Sequence, residues 1–232
     1  LRSQGTKAWS FGYSIPVSNK GMKLVLDYSG NNTEVVSGEL RPLGVEGKSR
    51  SFSLTWQIPF RVTENSRHEA GLQYVHQTAY TELGKGTGLV VPWVDDKIQR
   101  VIPYLSFTHY GDSSVFYHKH SFVFARRNNI DGVSDTTKIY RLGAFWQKRY
   151  GGGQFLQGRM DGQLSSNEYL ASSDRFFIGG VNSVRGYEEG FIGGERGMTA
   201  SIEYHVPMDK EKRFFFFPFL DWGTVSGETA PE

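Results

Sequence analysis

The sequence predicts an all-β chain, a transmembrane antiparallel β-barrel, and three observations carry that prediction. Apolar and polar residues alternate strictly over stretches long enough to cross a bilayer. Short and long connections between those stretches also alternate. The composition combines abundant glycine (28 residues) and aromatics (15%) with no cysteine.

The composition excludes several classes. No apolar run approaches the roughly 20 residues of a transmembrane helix, which rules out a helical membrane protein but not a barrel, whose alternating strands are polar on average. A net charge of +2 leaves no basic stripe and argues against a nucleic-acid partner. Without cysteine there is no disulfide scaffold and no cysteine zinc site, and the chain suits passage through an oxidising periplasm. Leu1-Arg-Ser-Gln-Gly5 lacks the apolar core of a signal peptide, leaving a cytosolic chain or part of a longer one. The organisation along the chain favours the second.

Ten strands are expected, near 7–17, 22–29, 50–62, 68–82, 97–110, 114–127, 137–150, 153–166, 197–207 and 213–225. In the first, Trp9, Phe11, Tyr13, Ile15 and Val17 oppose Ser10, Gly12 and Ser14. In the third, Phe52, Leu54, Trp56, Ile58, Phe60 and Val62 occupy every even position. In the seventh, Tyr140, Leu142, Ala144 and Trp146 oppose Arg141, Gly143, Phe145 and Gln147. Most of these strands match or exceed the roughly 9–11 residues of a tilted membrane strand.

Short connections fall at 18–21, 63–67, 111–113, 151–152 and 208–212, and long ones near 30–49, 83–96, 128–136 and 167–196. Tight periplasmic turns and extended outer loops have this rhythm, so the 167–196 loop is expected to open outside and fold back into the lumen. Trp9, Tyr80, Trp93, Tyr110, Tyr150, Tyr169 and Trp222 lie near strand ends, where interfacial girdles fall. No internal domain boundary appears. Residues 1–232 are expected to be the central part of a larger barrel, with an abrupt end after Asp221-Trp-Gly223 and a polar tail.

The long fourth loop holds Phe176-Phe-Ile-Gly-Gly-Val-Asn-Ser-Val-Arg-Gly-Tyr187, one arginine between paired glycines and an aromatic. A glycine-rich phosphate cradle would need a helix after the glycines. Gly190, Gly193, Gly194 and Gly197 follow instead, then the alternating strand Met198–Val206. The other reading is a loop that folds back so that Arg185 meets a fixed carboxylate. In the last strand Phe214, Phe216, Pro218, Leu220 and Trp222 share one face, and Phe215, Phe217, Phe219 and Asp221 the other. In the strand before it Ala200, Ile202, Tyr204 and Val206 face lipid, which turns Thr199, Ser201, Glu203 and His205 inward. A carboxylate on the lipid face is costly, so Asp221 and Glu203 are expected inside, as partners of Arg185.

Phe177-Ile-Gly-Gly180, Val184-Arg-Gly-Tyr187, Gly194-Glu-Arg-Gly197, Ile202-Glu203 and Phe219-Leu-Asp-Trp-Gly223 together resemble the transporters of two-partner secretion, the haemolysin secretion/activation family. Their superfamily also contains the outer-membrane barrel-assembly insertases, in which a similar loop arginine occurs. The resemblance implies a sixteen-stranded barrel in the outer membrane of a Gram-negative bacterium, preceded by two periplasmic POTRA domains. The chain would run from about the fourth strand to the thirteenth, and the arginine loop would be the sixth extracellular one. It implies a function: a pore that exports an unfolded exoprotein, haemolysin or adhesin in type, with that exoprotein and the lipid bilayer as partners. Val184, Arg185, Gly186 and Tyr187 form its functional loop motif, and Gly179, Gly180, Gly194, Gly197 and Gly223 are its structural glycines. The alternatives are a barrel-assembly insertase and a passive porin-like barrel, and within the first reading Arg185 could merely plug and rigidify the pore.

No catalytic constellation is expected, and no enzyme activity, cofactor, nucleotide or metal. His118 and His120 share one strand face but no third ligand can be assigned. Asp161 and Asp27 are conceivable acid-base partners of Glu203, yet nothing fixes their separation. Gln157, Arg159, Asp161 and Gln163 form an ordinary polar lining stripe. The serines lack the context of a nucleophile elbow.

Overall fold

The structure, a computed structural model, describes residues 5–34, 44–84 and 89–227. Its strands are β1 (Thr6–Pro16), β2 (Lys23–Glu34), β3 (Glu46–Thr63), β4 (Ser66–Leu83), β5 (Val91–Tyr110), β6 (Ser114–Asn128), β7 (Ser134–Arg149), β8 (Phe155–Ser165), β9 (Phe176–Ile178), β10 (Ile192–Gly194), β11 (Arg196–Pro207), β12 (Phe215–Phe216) and β13 (Phe219–Ser226). Among the described residues, eleven of these form one sheet. Its hydrogen-bonding order follows the chain from β1 to β8, then β11, which pairs with both β12 and β13. β9 and β10 make a separate two-stranded sheet within the 167–196 segment. β1 with β2, β2 with β3, β7 with β8, β8 with β11, β9 with β10, and β11 with β12 and β13 all pair antiparallel, as hairpin connection requires.

Several strands overrun their expected ends. β2 continues to Glu34 and β3 begins at Glu46, which narrows the 30–49 connection to 35–45; residues 35–43 of it lie outside the described residues. β5 begins at Val91 rather than near 97, so the 83–96 connection shrinks to 84–90, with 85–88 outside the described residues. The alternation of side-chain polarity stops before the backbone ladder does. In Val94-Asp-Asp-Lys97 the strand continues with charged side chains, and buried Asp96 is neutralised by Arg127 at 3.0 Å. The expected eighth strand starts two residues late, because Gly151–Gly153 form a single 3₁₀ turn.

The expected tenth strand, 213–225, is interrupted. Pro218 has no N–H to give to a ladder, and pairing is formally split into β12 and β13. The register nevertheless holds across the break: Val206 opposes Phe216 and Glu203 opposes Phe219, while Tyr204 N donates to Pro218 O at 3.1 Å. Side chains therefore keep their faces on both sides of the proline.

The distribution of exposure is inverted relative to a water-soluble sheet. Trp9, Phe11, Tyr13, Trp56, Phe60, Val62, Leu72, Phe122, Phe124, Ile202 and Trp222 are exposed, whereas Ser53, Thr55, Asp96, Arg100, Gln163, Ser165 and Thr199 are buried. Exposed apolar rows of this extent are stable only against hydrocarbon. The described chain forms two compact units. In the first (Leu1–Ile58, Gly71–Ile102, Phe124–Thr136) the buried face is held by Arg100 to Gln77 at 2.7 Å and Ser53 to Asp27 at 3.2 Å, around Ile98. The second (Pro59–Ala70, Pro103–Val123, Thr137–Glu232) contains β8, β9, β10, β11, β12 and β13 and all the residues of the arginine loop.

The turn between β11 and β12 is organised by Asp209. Its Oδ1 accepts from the N–H of Arg213 (2.8 Å) and of Phe214 (3.0 Å), and Lys212 takes a positive φ of 56°. The Phe214 N–H, and then that of Arg213, hold the Asp209 carboxyl below the ordinary carboxylate range against the opposing cost of desolvation. A depressed carboxyl contributes order above its ordinary pKa and loses it as pH falls through the lowered value. The Phe214 amide chemical shift is therefore expected to stay constant through the ordinary carboxylate range and move only at lower pH. In Asp209→Ala it should be pH-independent.

A second prediction concerns the exposed face. In the full-length protein, Trp56→Arg is expected to lower stability in liposomes by about 2–4 kcal/mol, and Gln57→Arg, on the opposite face, by under about 1 kcal/mol. Urea unfolding monitored by tryptophan fluorescence measures both.

Candidate functional site

The site begins with two carboxylates on one face of adjacent strands. Ser201 opposes Asp221 and Glu203 opposes Phe219 across β11 and β13, and the two-residue period turns Ser201, Glu203 and Asp221 to the same side. Gln157 of β8, opposite Glu203, donates its Nε2 to Glu203 Oε2 at 2.6 Å. His205 Nε2 meets the same oxygen at 2.7 Å. Asp221 and Glu203 are largely withdrawn from solvent, with side-chain exposures of 4% and 15%, so they need a cation.

The loop supplies it. Gly179 and Gly180 have φ of 110° and 91°, a conformation that disfavours side chains, and a Cβ on Gly179 would run into the carbonyl oxygen of Glu188. The reversal is closed by Ser183, whose Oγ accepts from Gly179 N (2.7 Å) and Val184 N (2.6 Å), and by Gly180 N donating to Tyr187 O (3.1 Å). Arg185 emerges from this turn pointing at the wall. Its Nε donates to Asp221 Oδ2 (2.7 Å) and its Nη2 to Asp221 Oδ1 (2.6 Å), a fork-on-fork pair. The backbone N–H of Arg185 reaches Asp221 Oδ2 as well (3.0 Å), Nη1 donates to Glu203 Oε1, and Nη2 also donates to Ser201 Oγ (3.0 Å). The guanidinium lies 3.6 Å from the centroid of the Phe219 ring, a cation-π contact. Its proton affinity is raised, first by the hydrogen bond to Asp221 and then, against desolvation, by that to Glu203. The arginine is cationic at every pH the protein meets. Such a network contributes about 1–3 kcal/mol, enough to bias a loop between two positions.

The root of the loop is fastened separately. Gln163 of β8, only 3% exposed, donates Nε2 to the carbonyl of Asp174 (2.7 Å) on the outgoing arm and to that of Glu195 (3.1 Å) on the returning arm. Arg141 of β7 fixes the amide through Gln163 Oε1 (2.8 Å) and reaches Asp174 Oδ1 at 3.4 Å. Arg175 and the buried Glu195 form a further pair at 3.9 Å. One amide thus ties both arms of the loop to the sheet.

The remaining expected residues have packing roles. The Val184 side chain lies over Gly223, where an added Cβ would come within 2.9 Å of Val184 Cγ2. Gly197 gives room for the Phe176 ring, and Gly194 lies against the Ser226 backbone. Gly186 has a φ of 94°, and exposed Tyr187 packs on Phe191 with ring centroids 5.1 Å apart.

His118 Nδ1 and His120 Nε2 are hydrogen-bonded at 2.9 Å, and His120 Nδ1 meets Tyr140 Oη at 2.7 Å, so these imidazoles serve one another. Among the described residues no group of three or more potential ligands has metal-holding geometry. Asp161 is paired with Arg159 (2.7 Å) and Asp27 accepts from Ser53. Gln163, read from sequence as ordinary lining, is instead the root clasp. Ser201, Phe219, Asp174 and Arg141 are partners the pattern did not single out, although the facing of β11 and β13 already placed Ser201 and Phe219 beside the carboxylates.

An antiparallel sheet with an apolar exposed face, a polar buried face and a long loop pinned to the polar face defines an outer-membrane β-barrel wall. The family model of the haemolysin secretion/activation proteins ShlB/FhaC/HecB matches residues 2–232, and the chain belongs to that family, the outer-membrane proteins of two-partner secretion. No curated protein sequence matches it. Among solved structures it is similar to CdiB from Acinetobacter baumannii (TM-score 0.78, 17% identity, covering 97% of this chain and 41% of that one). CdiB from Escherichia coli gives 0.72 at 16% identity, over 88% of this chain and 39% of that one. BamA from Haemophilus ducreyi lacking POTRA domains 1-3 gives 0.58 at 16% identity, over 96% and 50%. The chain therefore spans half or less of the length of these structures.

Arg185→Lys keeps the charge but cannot form the paired contact with Asp221. It is expected to weaken loop attachment by about 1–3 kcal/mol, read as faster hydrogen exchange of residues 179–187 with no change at 174 and 195. Gln163→Leu is expected to have the opposite pattern, loosening 174 and 195 first.

Proposed function

We propose that the chain is the central part of a barrel that exports an unfolded polypeptide across the outer membrane in two-partner secretion, with the 167–196 loop reaching from the outside into the lumen. The observation that carries this reading is the attachment of Arg185 to Asp221, Glu203 and Ser201 from the tip of a loop whose root is held independently. Solute passage through a passive pore needs only a polar lining, and a loop fastened at two separate places goes beyond that need. A latch worth a few kcal/mol suits a pore that must hold one shape while closed to its cargo and another while a chain passes. In this reading Val184, Gly186 and Tyr187 set the reversal that aims Arg185, and Gly179, Gly180, Gly194, Gly197 and Gly223 let the loop lie close to the wall. The partners are a secreted exoprotein of haemolysin or adhesin type and the lipid bilayer. Export draws on folding of the cargo outside, and no cofactor, metal or nucleotide enters.

The test is export of the cognate exoprotein by the full-length protein carrying Arg185→Ala, with barrel insertion checked by heat-modifiable migration. A loss of export of at least tenfold, with insertion intact, is expected. Normal export from an inserted barrel overturns the latch. Loss of assembly of other outer-membrane proteins would mark an insertase instead.

A further inference from the structure

At β12 and β13 the polar face of the sheet carries a row of rings. Across β12 and β13 the unbroken register turns Phe215, Phe217 and Phe219 to the side that carries Asp221, while Phe214, Phe216, Leu220 and Trp222 occupy the other. On neighbouring β8 and β11 the corresponding face presents Gln157, Arg159, Ser201 and Glu203. Three phenyl rings there are an exception to the alternation; at this last strand of the chain Phe215, Phe217 and Phe219 are 38%, 44% and 49% exposed. They are nonetheless held in place. His205 is stacked between Phe155 (4.2 Å, 10°) and Phe217 (4.9 Å, 11°), with its Nε2 fixed by Glu203, and Phe219 lies beneath Arg185. The row thus ends at the latch, beside a cavity of about 280 Å³ lined by Phe145, Val181, Arg185 and Glu203.

We propose that Phe215, Phe217 and Phe219, backed by Phe155, form a contact site for apolar side chains of an extended polypeptide that moves past the Arg185 latch. This rests on the transport reading above. Three features fit that occupant. Alternate residues of a strand are about 7 Å apart, so the row repeats at the spacing at which an extended chain presents side chains to one side. Phenyl faces give large contact area without directional hydrogen bonds, so they tolerate many sequences and release them easily. The fixed rings need little further ordering when a chain arrives. Lipid is not the occupant, because the row shares its face with Asp221 and Glu203, and the opposite face already supplies the apolar surface.

The experiment uses the full-length protein in planar bilayers with two unstructured probe peptides of equal length and charge, one built of glycine and serine and one with phenylalanine at every fourth position. The unmodified pore is expected to show current blockades several-fold longer with the phenylalanine peptide. Phe217→Ser is expected to shorten those blockades at least threefold, leaving open-pore conductance and the glycine-serine blockades unchanged, and Phe217→Leu should recover most of the effect. An unchanged ratio between the peptides in Phe217→Ser overturns the proposal while leaving transport standing. So does failure of Phe217→Cys in the inserted protein to react with a water-soluble maleimide, since the row would then be covered by another part of the protein. If neither peptide blocks the unmodified pore, the transport reading fails, and this proposal with it.

Discussion

The second unit is arranged around the need to neutralise two carboxylates that adjacent strands present to the same side. Asp221 and Glu203 sit one pairing step apart on β13 and β11, both shielded from water. Left alone they would repel, and burial would penalise each charge separately. A single guanidinium resolves both problems because its planar fork matches one carboxylate bidentately and still has donors for a second carboxylate and a hydroxyl. The glycine pair, the Ser183 turn and the space over Gly223 make sense as conditions for bringing that group to that place.

The dyad pattern makes most of the fold legible in the sequence alone. Alternation in β3, β7 and β11 gives strand existence and facing, because side-chain period is a local property of the chain. Strand ends were less legible. The ladder through Val94-Asp-Asp-Lys97 persists on backbone hydrogen bonds and an Arg127 partner distant in sequence, neither of which leaves a periodic trace. Pro218 was visible in the sequence, but that its neighbours would keep register required knowing that β11 continues beside them.

The site divides in the same way. The placement of Asp221, Glu203 and Arg185 could be reasoned from facing and the cost of a charge against lipid. Gln163 could not, because a glutamine on a polar strand face reads as lining wherever it occurs; its meaning comes from two carbonyls, on Asp174 and Glu195, that the folded loop brings to it. The β9 and β10 pairing is equally silent in sequence, being three residues long on each side and dependent on the reversal between them.

The clasp at Gln163 has a kinetic consequence. With both arms of the loop held at their root, an Arg185 that lets go of Asp221 remains on a short tether, and its return is an intramolecular event. Effective concentrations for short tethers are in the millimolar range, so recapture depends on neither protein abundance nor the dilution of the membrane. An attachment of modest strength would therefore re-form readily after any release, without external input.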